Sequence, residues 1–337
     1  MGNRPQLGRP PARARGLRFI VPVLVLAVLA AAVVSAQWQK APPDFGGSYG
    51  FPTPTHPEPR ATWLRAVDVA ALAAALGLAV WLVLVRRSRR GVTLLSAFAL
   101  AYFGFYRQGC ICPIGSIQNV TLSLVDPQYA VSLGVLAFFF LPLGAAFFFG
   151  RIFCGGVCPL GAIQDLVLLR PVRIPRKLDR VLGWLPYLYL AAAVFFAAFG
   201  FQVRTAAGQL ATVRRFVICE WDPFVGFFRL AGPFSMFAIG AGFLLLGTLV
   251  GRPYCRWLCP YGALLAIPSR VAWRNVSITP DEELDCGLCA DACPFGAIRD
   301  LRADRAACLA CARCYDSCPR QRELARGRSR QRLSVAS

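Results

Sequence analysis

The sequence predicts a mainly α-helical protein, in which a polytopic bundle of about six transmembrane helices precedes a small cysteine-rich α+β domain at the C-terminus. The chain of 337 residues is 56% hydrophobic, and its mean hydropathy of +0.52 exceeds that of an ordinary soluble domain. Apolar runs recur along residues 19–251, which favours membrane-crossing helices. Seven of the fourteen cysteines lie between residues 275 and 320, which indicates a separate, hydrophilic unit there.

The apolar runs define the predicted spans. A helix that crosses a bilayer needs about 17–25 predominantly apolar residues, and the run at 91–106 is the shortest of the set. The six runs are 19–39, 69–85, 91–106, 127–150, 181–203 and 230–251.

Arginine accounts for nearly all of the formal net charge of +20, and much of it lies in bands beside the apolar runs. The bands are Arg4–Arg18, Arg86–Arg90, Arg151–Arg180 and Arg252–Arg274. Basic residues mark the cytoplasmic flanks of membrane helices, so both termini are predicted to lie on the cytoplasmic side of the bacterial inner membrane. The charge therefore indicates topology and contact with lipid, and it argues against a nucleic-acid partner.

Composition changes along the chain divide it into five segments. The first begins basic and ends in small residues before Gln37, as a signal anchor or a cleaved signal peptide does. The second is polar and proline-rich, and the last is basic with little apolar content. The predicted segments are the signal region 1–36, a periplasmic loop 37–64, the transmembrane bundle 65–272, a cysteine-rich domain 273–320 and a disordered tail 321–337.

The run CLACARCYDSCP supplies four cysteines with the spacing C-x2-C-x2-C-x3-C-P, which is typical of bacterial proteins that bind cubane iron–sulfur clusters. Paired C-x2-C motifs also make tetrahedral zinc sites, but zinc patterns do not usually carry the third cysteine and the closing C-P. Iron–sulfur binding is therefore favoured. The four residues are Cys308, Cys311, Cys314 and Cys318.

A second run, ELDCGLCADACPFGAI, contains three cysteines, and Glu283 stands where a fourth is expected. In two-cluster proteins the fourth cysteine of each run binds the other cluster. One predicted 4Fe–4S cluster is then complete, with Cys293, Cys308, Cys311 and Cys314. The other has Cys286, Cys289 and Cys318. Glu283 could supply an oxygen ligand there, the site could hold a 3Fe–4S cluster, or Glu283 could be a solvated side chain with no role.

Two copies of a C-x3-C-P motif follow predicted spans, in GRIFCGGVCPLGAIQD at 150–165 and GRPYCRWLCPYGALLA at 251–266. Cysteines at i and i+4 share one face of a helical turn, and the proline disfavours helix at the second cysteine. Together the copies supply Cys154, Cys158, Cys255 and Cys259, the ligand complement of a further cluster. The alternative is a set of inert buried thiols, which the in-register repeat of Gly, Arg, Cys and Pro argues against.

Three further cysteines are predicted to face outward. Cys110 and Cys112 lie in a degenerate copy, GCICPIGSIQN, and Cys219 lies in the loop after the fifth span. They could hold an outer cluster completed by His56, Glu220 or Asp222. They could equally be unrelated thiols, or form a disulfide in an oxidising compartment.

With these motifs the sequence resembles a family of polytopic iron–sulfur membrane proteins. The family includes the membrane subunit of the periplasmic nitrate reductase quinol dehydrogenase and the membrane half of the nitrous-oxide reductase regulator. The resemblance spans about residues 90–320, and its combination of motifs is specific. It implies a cytoplasmic ferredoxin-like domain with two clusters, and electron transfer linked to an anaerobic or respiratory pathway. The covalent-flavin threonine motif is absent, so no covalent flavin is expected.

The sequence thus predicts a membrane electron-transfer protein that works with redox partner proteins such as a ferredoxin-type subunit or a respiratory reductase. Haem is not expected, because His56 is the only histidine and Met1 and Met236 are the only methionines. No glycine-rich fingerprint indicates a nicotinamide site. Two alternatives are a quinol dehydrogenase subunit with a quinone pocket, and an iron–sulfur regulator or maturation factor for a respiratory metalloenzyme.

Overall fold

The computed structural model describes the helical body and most of the cysteine-rich region. The described residues are 61–107, 113–127, 129, 131–169, 171–172, 174–204, 210–213, 224, 227–228, 234–276, 287–299 and 302–319. The predicted signal region, most of the proline-rich loop and the basic tail lie outside these residues.

Within the described residues the fold is mainly helical, which confirms the predicted class at that level. Twelve helices run along this part of the chain: α1 Thr62–Val80, α2 Arg89–Ala99, α3 Pro113–Val125, α4 Leu133–Phe149, α5 Pro159–Leu166, α6 Arg176–Leu182, α7 Leu185–Phe199, α8 Phe234–Gly247, α9 Pro253–Trp257, α10 Pro260–Ser269, α11 Leu288–Ala292 and α12 Arg313–Ser317. Wider π-helical turns follow α1 at Trp81–Val85, follow α2 at Leu100–Tyr106 and precede α5 at Phe153–Val157. Two antiparallel hairpins pair β1 Phe201–Arg204 with β2 Leu210–Val213, and β3 Ile298–Arg299 with β4 Arg302–Ala303.

Local sequence sets several helix ends. The hydroxyl oxygen of Ser88 accepts a hydrogen bond from the backbone N–H of Gly91 at 3.2 Å and so caps α2. Gly150 and Gly200, which have φ of 73° and 68°, end α4 and α7 in a backbone conformation that other residues rarely adopt. The predicted run 181–203 therefore ends too late: the helix stops at Phe199, and 201–203 belong to strand β1.

The core lies where the helices meet the C-terminal region. Helix α10 packs on α4 and α7, while α1 and α2 both pack against the 153–157 turn. The same cluster of buried apolar residues continues from Leu72 in α1 to Phe295 and Tyr315 in the cysteine-rich region. The C-terminal region is therefore joined to the helical body by a shared hydrophobic core.

Two helices in the described part of the chain are long and apolar enough to cross a membrane, Trp63–Val85 and Lys177–Phe199. Two shorter apolar helices, Leu133–Phe149 and Met236–Gly247, lie within the predicted runs 127–150 and 230–251. The first predicted span, 19–39, lies outside the described residues. The count of six spans remains a prediction.

Candidate iron–sulfur sites

The first C-x3-C-P copy forms a turn followed by a short helix. Cys154 lies in the π-helical turn Phe153–Val157, whereas Cys158 is extended, with φ of −70° and ψ of 118°. Pro159 then starts α5, in the first helical position that suits proline. The expected break in the helix at Cys158 is confirmed, because a residue before proline avoids the α conformation.

The second copy repeats this local structure. Cys255 lies in α9, Cys259 is extended with φ of −63° and ψ of 110°, and Pro260 starts α10. The sulfur of Cys259 accepts a hydrogen bond from the backbone N–H of Gly262 at 3.3 Å. The two copies, a hundred residues apart, therefore present their cysteines in equivalent ways.

The four cysteines of the two copies lie together just beyond the ends of the apolar helices α4 and α8. Cys154, Cys158 and Cys255 are buried and Cys259 is half-buried. Burial, followed by negative charge on Cys255 and Cys154, raises the pKa of Cys158. Burial and the charges on the other three cysteines likewise raise the pKa of Cys259. Four thiolates could not share this place without a positively charged group among them, because they would repel one another.

Gln164 makes the two halves of this site unequal. Its side-chain amide donates to the sulfur of Cys255 at 3.3 Å, and its carbonyl oxygen accepts from the backbone N–H of Tyr254 at 3.0 Å. Leu265 occupies the equivalent position of the second copy, so Cys154 has no corresponding amide from that side. Hydrogen bonds to ligand sulfurs are a main determinant of cluster potential.

The arginine of each copy also lies against the glycine of the other copy. A Cβ on Gly161 would lie 3.0 Å from a guanidinium nitrogen of Arg252, and one on Gly262 would lie 2.9 Å from a guanidinium nitrogen of Arg151. The glycines in C-P-x-G therefore leave room for the arginine that begins the opposite copy. This exchange holds the two motifs against each other.

A second group of four cysteines lines one cavity in the C-terminal region. The residues are Cys293, Cys308, Cys311 and Cys314, and the rest of the lining is mostly apolar. Burial raises the pKa of Cys308 to about 12, and the neighbouring charges of Cys311 and Cys293 act in the same direction. These are the four residues that the crossed-ligand spacing predicts for one cluster.

The two halves of the C-terminal region share one local fold. Gly287 and Ala312 both have positive φ, of 66° and 61°, and each is followed by a five-residue helix, α11 or α12. Cys293 and Cys318 then adopt nearly the same extended conformation before proline. The helices pack against each other, so the chain forms a compact internal repeat around the cavity.

The remaining predicted ligands are only partly described. Cys289 is buried and Cys318 is half-buried, but Cys286 and Glu283 lie outside the described residues. All three cysteines of the predicted outer site, and its candidate partners, also lie outside them: Cys110, Cys112, Cys219, His56, Glu220 and Asp222. The second C-terminal cluster and the outer site therefore remain predictions.

The two four-cysteine groups meet through backbone contact. A Cβ on Gly155 would lie 2.3 Å from the carbonyl oxygen of Leu309 and 2.7 Å from that of Ala310. A Cβ on Gly251 would lie 2.8 Å from Cβ of Pro294 and 3.0 Å from its carbonyl oxygen. Only glycine fits at these two contacts. The first brings the loop between Cys308 and Cys311 against the turn between Cys154 and Cys158, and the second brings the residue after Cys293 against the start of the second copy.

Asp165 links the same regions electrostatically. Its carboxylate pairs with Arg89, with Arg313 at 3.0 Å and with Arg252 at 3.4 Å. Burial alone would raise the pKa of Asp165, but the three guanidinium groups together hold it well below its usual range. Arg89 also donates to the carbonyl oxygen of Cys311 at 2.9 Å, so α2, α5 and the C-terminal region are tied to one carboxylate.

A cleft of about 200 Å³ opens beside these groups. Tyr187 at the start of α7, Trp257, and Cys255 of the first four-cysteine group lie on its wall, together with Arg151 and Phe295. It is smaller than the about 300–1,000 Å³ of typical drug-sized sites.

The donor sets suit 4Fe–4S clusters, because each group brings together four buried or half-buried thiols. Among the described residues no three His, Cys, Asp or Glu side chains converge closely enough to hold a single metal ion. A cubane spaces its thiolates around a four-iron core, so convergence on one ion is not what this cofactor requires. When bound, such clusters supply one-electron transfer.

Comparison with known proteins agrees with this chemistry. One 4Fe–4S binding domain family matches residues 131–177 and again 232–278, which hold the two C-x3-C-P copies, and a second matches 284–299. YccM of Escherichia coli, whose name assigns it provisionally to electron transport, is 26% identical over 217 residues. These matches support assignment of the chain to the 4Fe–4S electron-transfer proteins.

Two further relatives are the protein NirI of Paracoccus denitrificans, 30% identical over 153 residues, and the uncharacterized protein MJ0750 of Methanocaldococcus jannaschii, 26% identical over 224 residues. The matches cover 61%, 43% and 64% of this chain for YccM, NirI and MJ0750. They cover 60%, 20% and 87% of the relatives, so the chain corresponds to only part of the first two. No solved structure shows a significant match.

The sequence patterns do not predict the residues that lie between the two cysteine groups. Gln164 and Asp165 have no counterparts in the second copy, where Leu265 and Ala266 stand. Arg252 was visible as a repeated Gly-Arg, but its contacts were not. The repeat itself could have identified Arg252, because Arg151 and Arg252 occupy equivalent positions at the start of the two copies.

Proposed function

We propose that this chain is a membrane-bound electron conduit, in which electrons pass between a cluster at Cys293, Cys308, Cys311 and Cys314 and a cluster at the two C-x3-C-P copies. The second C-terminal cluster extends this path toward a cytoplasmic donor or acceptor, and the outer cysteines, if loaded, extend it toward a periplasmic one. Redox proteins of the respiratory type are the proposed partners.

The observation that carries the proposal is the contact of Gly155 with the carbonyl oxygens of Leu309 and Ala310. Each of these residues lies between two proposed ligands of its own group, so the backbone segments that carry the two sets of ligands touch directly. Electron tunnelling decays exponentially with distance, and this contact keeps the distance short.

The exposed apolar surface supports placement in a membrane. Only 17% of the most apolar window of Lys177–Phe199 is buried, and 39% of that of Trp63–Val85. Large apolar side chains such as Phe98, Leu188 and Phe195 are more than half exposed. So many exposed large apolar side chains on long apolar helices fit contact with acyl chains.

Basic residues support a cytoplasmic location for the C-terminal domain. The predicted inner flank Arg86–Arg90 contacts this domain directly: Arg89 donates to Cys311, and the guanidinium of Arg87 lies 5.3 Å from the ring centre of Tyr315. The arginine band expected inside by the distribution of charge therefore lies on the same side as both cysteine groups.

Iron and acid-labile sulfide per chain, measured on protein purified without oxygen, test the proposal. We expect about eleven or twelve irons, corresponding to two clusters in the C-terminal domain and one at the repeat. About seven or eight irons per chain would mean that only the C-terminal domain holds clusters, and the proposed conduit would then be wrong at its second step. A larger number would add the outer cysteines.

The cleft beside Cys255 favours a second candidate function, that of a quinol dehydrogenase subunit. It opens at the start of the apolar helix Lys177–Phe199, where a lipid-soluble molecule would arrive, and Tyr187 and Trp257 lie beside Cys255 in its wall. A quinone ring would bind there with its tail in the membrane.

A short-chain quinol added anaerobically to membranes should then bleach the visible absorbance of the clusters. Tyr187→Ala should abolish this bleaching while dithionite still reduces the protein fully. Tyr189→Ala, on the same helix but outside the described wall of the cleft, is the matched control. A wild-type protein that dithionite reduces and quinol does not would exclude this candidate function.

A further inference from the structure

Arg252 lies between the two four-cysteine groups and is fully buried, with 0% of its surface exposed. It also has a left-handed backbone conformation, with φ of 48° and ψ of 60°, directly before Pro253. Such a conformation is unfavourable for a non-glycine residue and persists only where the surroundings enforce it. A buried cation held in a strained backbone needs a reason beyond packing.

The guanidinium of Arg252 touches both enclosures. It donates to the carbonyl oxygens of Cys154 and of Gly155, the latter at 3.3 Å, on the side of the C-x3-C-P group. On the other side it lies 5.9 Å from the ring centre of Phe295, which lines the C-terminal cavity. Cys154 and Cys255 of one group and Cys311 of the other all lie within electrostatic range of it.

Arginines outnumber carboxylates at this position. Three arginines, Arg89, Arg252 and Arg313, surround the single carboxylate of Asp165, whose side chain is 3% exposed. Water, which would screen this excess at a surface, is largely excluded. Reduction of either proposed cluster adds one negative charge without changing a bond, so a nearby cation stabilises the reduced form.

We propose that Arg252 is a positioning residue shared by the two cysteine groups and that its positive charge raises the reduction potential at both. The negative charge of Asp165 limits the size of this increase. This inference rests on the proposed function. Electron transfer between neighbouring clusters requires matched reduction potentials, and the charge of Arg252 would match them.

An EPR-monitored redox titration of the whole protein, purified without oxygen, tests the proposal, with dithionite and mediators supplying the single electron. In Arg252→Gln the ratio of reduced to oxidised cluster, read at the wild-type midpoint, should fall about tenfold, a shift of about 59 mV for one electron. Asp165→Asn should shift the ratio in the opposite direction. Arg252→Lys keeps the charge and should stay close to the wild type.

Opposite shifts separate an electrostatic role from a structural one, because loosened packing would release iron and shift both variants in the same direction. Arg107→Gln is the control, since this arginine pairs with Asp68 at 2.9 Å far along the chain from either cysteine group and should leave the titration unchanged. Variants that keep wild-type iron and titrate like the wild type, or shift together, would overturn the proposal.

If Arg252→Gln fails to retain iron, Arg313→Gln is the second test. The side chain of Arg313 is 24% exposed, so its replacement removes one positive charge and leaves the buried Arg252 in place. It should lower the potential by a smaller amount, and an unchanged titration would overturn the proposal. If wild-type protein lacks a cluster at the C-x3-C-P copies, the proposed conduit fails. The inference is still tested by the C-terminal signal, so the two failures are distinguishable.

Discussion

Replacing Gly155 by alanine should force apart the two four-cysteine groups. The new Cβ would lie 2.3 Å from the carbonyl oxygen of Leu309, and backbone cannot move aside as a flexible side chain can. Overpacking of this kind costs about 1–3 kcal/mol, and we expect the loop between Cys308 and Cys311 to move off the 153–157 turn. Magnetic coupling between the reduced clusters, seen as splitting or broadening of their EPR signals, should weaken or disappear.

Gly156→Ala is the matched control, because it changes the neighbouring residue of the same turn. Its Cβ would meet side chains, Cβ of Ala79 at 3.3 Å and Cδ2 of Leu95 at 3.6 Å, and not the cysteine loop. Coupling should persist there. Wild-type coupling in Gly155→Ala would show that the two groups do not depend on this contact.

Replacing Cys255 by serine should remove about four irons per chain and one EPR signal. The side chain is buried and belongs to the C-x3-C-P group alone, so the C-terminal signals should remain. Iron and sulfide analysis together with EPR measures the loss.

Cys308→Ser serves as the reciprocal control for this prediction. It should also remove about four irons, but a different EPR signal, and the double variant should lose about eight. If Cys255→Ser retains the full iron content, the C-x3-C-P cysteines are inert thiols, as the alternative interpretation of the repeat holds.

Features that depend on residues close together in the chain could be predicted from the sequence, whereas features that depend on distant residues could not. The turns at Cys158 and Cys259 follow from the next residue, because proline restricts the backbone before it. The group of Cys293, Cys308, Cys311 and Cys314 follows from spacing within one short region. The helical class follows from apolar runs, although the end of α7 at Phe199 depended on Gly200, and the run alone overestimated it.

The sequence by itself determined the cysteine chemistry of this protein, since ligand type and spacing are local properties that a chelating loop needs before any tertiary packing. Only the tertiary structure decided what lies between the groups: the backbone contact at Gly155, and the charges of Arg252 and Asp165. These residues come from segments about 90 to 155 positions apart. The repeat relates Arg252 to Arg151, but it does not show which side chains of the other segments either arginine contacts. Their meeting depends on how the helices pack, because side chains distant in the chain become neighbours only through the shared core.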